Sequence, residues 1–162
     1  MSELLAHWPQ QLSVLLNTAY AMVLGGLIGW ERELKDRPAG FRTHMLVAGA
    51  AAMLVGLADL LAVHFSDEGY RELVRVDPLR LIEAVVAAVG FLGAGAIFRR
   101  SGGNSVSGLT TAASLLMVAA IGIAAGVGSH VLALGATVLT LAVLLLLSWL
   151  ERRMSGRRDG KQ

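Results

Sequence analysis

Five apolar stretches of membrane length, at about residues 12–30, 45–63, 79–98, 108–126 and 130–149, alternate with short polar segments. A spanning helix needs roughly 20 predominantly apolar residues, so each stretch is long enough to cross a bilayer. Residues 109–150 contain no Asp, Glu, Lys or Arg, a length sufficient for two spans on its own. The pattern predicts an all-α, polytopic transmembrane bundle over residues 1–150 and a basic, disordered tail over 151–162. Asp77-Pro78 reads as a helix start, with Asp as N-cap and Pro in the first turn. Pro38-Ala39-Gly40 breaks any helix between the first two spans.

The sequence is organised around the segment VGFLGAGAIFRRSGGNSVSGLTTAAS, residues 89–114. An apolar, glycine-rich run stops at Arg99-Arg100, turns through Gly, Ser and Asn, and resumes at Gly108. This predicts a tight hairpin between the third and fourth spans. Gly90, Gly93, Ala94 and Gly95 are expected to leave one helix face bare for close packing, because lipid supplies no hydrophobic drive for helices to associate. Gly25/Gly29 and Gly122/Gly126 repeat the small-xxx-small spacing.

Charge fixes the expected orientation. Of the 14 Lys and Arg, eleven lie in the 31–44 loop, the Arg99-Arg100 turn and the tail. The positive-inside rule therefore places those segments in the cytoplasm, with the N-terminus outside and the C-terminus inside. Trp30 and Trp149 both fall at that inner boundary. The net charge of +2, spread beside apolar runs, speaks against nucleic-acid binding. With no cysteine there is no disulfide or thiol chemistry. Residues 1–11 carry no Lys or Arg, so no cleaved signal is expected.

Two polar groups stand out. Asn17, Asp59 and Glu83 are expected about 6–8 Å below the outer interface, at 1.5 Å rise per residue. An ionisable group within a membrane normally faces protein, water or a partner. They form a candidate site for a proton or a hard cation such as Mg2+, with pairing to Arg80, Arg71 or Arg75 as the structural alternative. On the inner side Glu31, Arg32, Glu33, Arg42, Thr43 and His44 approach Arg99 and Arg100 of the hairpin. Glu31 and Glu33 are expected to pair with Arg42 and Arg99, giving either a braced loop or a docking surface for a partner or anion. The hairpin motif adds Gly90, Gly93, Gly95, Gly108, Thr110, Thr111 and Ser114. The four histidines show no ligand spacing, and no nucleophile, P-loop or dinucleotide arrangement is present, so an enzyme is not expected.

The segments GGLIGWERELKDRPAGFRTHMLV (25–47), DPLRLIEAVVAAVGFLGAGAIFRR (77–100) and GLTTAASLLMVAAIGIAAG (108–126) resemble the MgtC/SapB family of bacterial inner-membrane proteins. The chain departs from the family pattern at Leu116, where relatives often carry Trp, and at Ala84, where they often carry Gln. It looks like a short member without the soluble C-terminal domain of longer ones. The resemblance implies a component of adaptation to low Mg2+ and host-associated stress. It also implies restraint of a membrane complex, the F-type ATP synthase, rather than Mg2+ carriage.

Two functions follow as expectations. One is a non-enzymatic inner-membrane protein that modulates another membrane complex by helix contact, surrounded by lipid, without a cofactor and able to form a homo-oligomer such as a dimer. The alternative is an ion pathway for Mg2+ or protons through Asn17, Asp59 and Glu83.

Overall fold

The computed structural model describes residues 8–64, 77–99 and 106–155. They form five helices: α1 (Trp8–Glu33), α2 (Phe41–His64), α3 (Pro78–Ala96), α4 (Leu109–Gly126) and α5 (His130–Ser155). Each is long and apolar enough to cross a membrane. α1 and α2 extend beyond their expected bounds, and α5 runs on to Ser155, into the segment expected to be a disordered tail. α3 instead ends at Ala96 and α4 begins at Leu109, inside their expected bounds, where the chain turns into the hairpin. α1 runs on through Glu31, Arg32 and Glu33, and α2 begins at Phe41, so Arg42, Thr43 and His44 are helical rather than loop. Hydropathy marks the apolar part of a helix, and polar end turns lie beyond its reach.

The caps explain where the helices begin. Asp77 accepts a hydrogen bond from the Leu79 N–H at 3.0 Å, with Pro78 in the first turn, as the Asp-Pro pair predicts. At α2 the cap comes from another helix, since Glu33 Oε2 accepts the Phe41 N–H at 2.7 Å. Between α3 and α4 the chain forms a small antiparallel ladder, β1 (Phe98–Arg99) with β2 (Val106–Ser107). Gly108 then opens α4 at φ 95°, and a Cβ there would collide with the Ala96 carbonyl oxygen. Only glycine meets both conditions.

α4 touches all four other helices, while α1 and α2 share the most extensive interface. Small residues make this possible. A Cβ on Gly25 would sit 2.6 Å from the His44 oxygen, and one on Gly29 2.8 Å from Phe41 Cα. From the other side, Gly122 lies against the Ala48 backbone and a Cβ on Gly126 would be 2.8 Å from the Ala52 oxygen. The α2 backbone is thus clasped between two glycine faces. Such close approach replaces hydrophobic drive with van der Waals contact. The core around it comprises Ala21, Leu24, Ile28, Ala48, Ala51, Leu115, Val118, Ile121 and Ala125.

α3 stands apart and packs chiefly on α4. Its buried residues are Val85, Val89 and Gly93. Gly93 faces Ala112, whose Cβ would be 3.2 Å from an added methyl group. Gly90 and Gly95 have nothing within 4 Å, and Phe91 is 80% exposed. The expected single bare face is therefore divided, because residues 90–95 wind through more than one helical turn. One glycine turns inward and two turn away from the bundle.

Candidate functional site: a buried polar centre at one end of the bundle

The end of α1, the 34–40 turn, the start of α2, the start of α4 and the late part of α5 meet around a polar centre. Glu31, Arg32, His44, Thr111 and Ser114 are all buried there. Arg32 Nε donates to Glu31 Oε2 at 2.6 Å, and the Lys35 ammonium pairs with Glu31 Oε1. Lys35 follows Glu31 by four residues, in the turn that continues directly from α1, and keeps the spacing at which a helical Glu and Lys meet. Its Nζ also crosses to α5, donating to Ser148 Oγ at 2.5 Å and to the Leu144 oxygen at 3.4 Å. One carboxylate therefore serves two cations, and one lysine ties α1 to α5.

The neighbouring turn is held by its own backbone. Lys35 and Arg37 donate to the Arg32 oxygen, Asp36 donates to the Glu33 oxygen, and Asp36 takes a left-handed φ of 50°. This compact return delivers Gly40 to His44. The Gly40 oxygen only accepts, so His44 Nδ1, 2.9 Å away, carries a proton. Nε2 lies 3.0 Å from Ser114 Oγ, which is itself 2.8 Å from the Thr111 oxygen. A neutral ring accepts a hydrogen bond at Nε2 from the Ser114 hydroxyl. A doubly protonated ring instead donates to Oγ and turns the hydroxyl towards Thr111. In either form His44 joins α2 to α4 through satisfied polar contacts in a completely buried position.

The expected partners of the glutamates differ from those observed. Glu31 pairs with Arg32 and Lys35, and Glu33 caps α2; among the described residues neither pairs with Arg42. Helical geometry explains this, since α2 begins early enough to carry Arg42 and Thr43 to its exposed side. Arg99 belongs to β1, and Arg100 lies outside the described residues. Thr110 is exposed, whereas Thr111 and Ser114 point into the bundle.

The opposite end looks different. Asn17 Oδ1 is 2.9 Å from His130 Nε2, and the Tyr20 hydroxyl donates to the His130 oxygen at 3.1 Å. The Tyr20 and His130 rings meet edge to face at 5.1 Å. Asn17 thus fastens α1 to α5. Asp59 and Glu83 are exposed, and no hydrogen bond or ion pair joins either to Asn17 among the described residues. Arg80 approaches Asp77 at 3.9 Å rather than Glu83. Arg71 and Arg75 lie outside the described residues. No group of three His, Asp or Glu suited to a metal occurs among the described residues.

Sequence reading passed over Lys35, Ser148, Tyr20 and His130. The spacing of Glu31 and Lys35 was a usable signal. The contacts of Lys35 with Ser148 and of Asn17 with His130 span 113 residues each, and no local pattern announces them.

With this geometry in hand, the comparison with known proteins is direct. The family model described as MgtC family matches residues 18–153. The chain belongs to the MgtC family. It is similar to an uncharacterized protein of Haemophilus influenzae, 39% identical over 93% of the chain and 63% of that protein. It is also similar to Protein SapB of Bacillus subtilis, 36% identical over 96% of the chain and 65% of the relative. Protein MgtC of Salmonella typhimurium is 39% identical over 87% of the chain and 55% of the relative. The chain therefore spans about 55–65% of the length of these relatives. No solved structure matches it. Membership of this family and five span-length helices make it a multi-pass membrane protein.

Proposed function

We propose that this MgtC-family protein is a non-enzymatic component of the bacterial inner membrane that modulates another integral membrane complex by helix contact. The observation that carries this reading is the outward side of α3. Gly90 and Gly95 have no neighbour within 4 Å, and Phe91 beside them is 80% exposed. Bare backbone next to an aromatic knob is what a second membrane helix packs against. Glu83 and Asp59 are also exposed, and an exposed carboxylate in a span favours a protein partner over lipid. The family resemblance makes the F-type ATP synthase the first complex to test.

Mg2+ and proton flux into proteoliposomes holding only this protein separates modulation from transport. The proposal predicts flux no greater than in empty vesicles, with protein shown to be folded by its thermal unfolding. Saturable flux that disappears in Asp59→Asn would replace it with an ion pathway.

A further inference from the structure

Among the described side chains, the buried part of the centre around Glu31 carries more positive than negative charge. Arg32 and Lys35 there share the single buried carboxylate of Glu31, which leaves one cation without a buried counter-charge among the described side chains when His44 is neutral. Glu33 keeps its charge but is exposed, with its carboxylate turned to the Phe41 N–H at the start of α2 rather than into the buried centre. Arg32 has five N–H donors. Among the described residues Nε is hydrogen-bonded to Glu31, and no partner is found for the two terminal amino groups, although the side chain is 4% exposed. A guanidinium so deeply set, with its planar fork open, is suited to bidentate recognition of an oxyanion.

The position of the centre says which oxyanion is within reach. Trp30 lies two residues before Arg32, and Trp149 one residue after Ser148, which accepts from Lys35. Both rings are more than half exposed. Exposed tryptophans flanking apolar spans mark the level of the lipid headgroups. Lys35 bridges α1 and α5 at that same level with 17% of its side chain exposed. A basic seat between helices at headgroup depth is where an anionic phospholipid is held.

We propose that Arg32 and Lys35 form a binding site for the phosphodiester headgroup of an anionic phospholipid where the end of α1 meets α5. The headgroup phosphate supplies the negative charge that Glu31 alone does not. The terminal amino groups of Arg32 close on its oxygens, and Lys35 joins them by giving up its long, 3.4 Å contact with the Leu144 oxygen. The site lies away from the outward face of α3, so it stands whether or not that face docks a partner.

The test uses Trp30 as the reporter in full-length protein carrying Trp8→Phe and Trp149→Phe. Quenching by brominated phosphatidylglycerol is compared with quenching by brominated phosphatidylcholine in nanodiscs of mixed lipid. The site predicts a preference of several-fold for phosphatidylglycerol that falls to near parity in Lys35→Met. Arg32→Gln should have the same effect, and Lys35→Met, at a partly exposed position, keeps the test available if Arg32→Gln does not fold. Arg42→Gln removes an exposed charge near the same end and should leave most of the preference. Equal quenching by the two lipids in the parent protein would overturn the proposal. So would an Arg42→Gln effect as large as that of Lys35→Met, which would reveal a general surface field. Millimolar inorganic phosphate should leave the preference intact; if it abolishes the preference, the ligand is the free anion and the lipid assignment fails.

Discussion

Two sets of glycines occupy membrane-spanning helices of this protein and behave in opposite ways. Gly25, Gly29, Gly122 and Gly126 lie against the backbone of α2, so closely that an added methyl group would overlap main-chain atoms. Gly90 and Gly95 on α3 meet nothing. The sequences alone look alike, each a small-residue run in an apolar span. What separates them is whether a partner lies within the chain. The first set holds the bundle together, and the second is left uncovered by the described part of this chain.

The comparison breaks most sharply at Gly122. Gly122→Leu would drive a side chain into the Ala48 carbonyl, and overpacking of this kind costs about 3 kcal/mol or more. Thermal unfolding of the purified protein should show loss of the folded bundle or a large fall in midpoint. A smaller effect is expected at the polar junction between the same helices. Ser114→Ala leaves His44 Nε2 buried without its partner, at a cost of about 1–3 kcal/mol. Ser114→Thr, which keeps the hydroxyl, should retain more of the stability, and a cost equal to that of Ala would deny the hydrogen bond its role. The least effect on the isolated protein belongs to Gly90→Leu, within about 0.5 kcal/mol of the parent, as for surface substitutions generally. A large loss of stability there would mean that α3 is buried within the chain's own fold and would erase the contrast.

The five spans were legible because hydropathy and length are local properties, and the Asp77-Pro78 start was legible because a cap is local too. The ends were not. His44 belongs to a helix whose first turn is polar, and the Glu33 cap on Phe41 comes from the preceding helix. Glu31 and Arg32 could be singled out as a charged pair near a membrane boundary, but their burial depends on α4 and α5 closing over them. The grouping of Asn17 with Asp59 and Glu83 followed from equal depth. Depth says nothing about azimuth around a helix, and Asn17 turns to His130 while the two carboxylates face outward. The glycines of α3 carried the same ambiguity, since spacing identifies a bare face without saying what covers it.

The absence of cysteine from the sequence makes one experiment unusually clean. Single cysteines at position 90, through Gly90→Cys, and at position 138, through Val138→Cys on the exposed side of α5, each carry a photoactivatable cross-linker in native membranes. The adducts are then separated into protein and lipid. A protein adduct at 90, with lipid alone at 138, is the result expected if the open face of α3 docks a membrane partner. Lipid adducts alone at both positions, from folded protein, would contradict it and leave α3 as a helix that merely faces the bilayer.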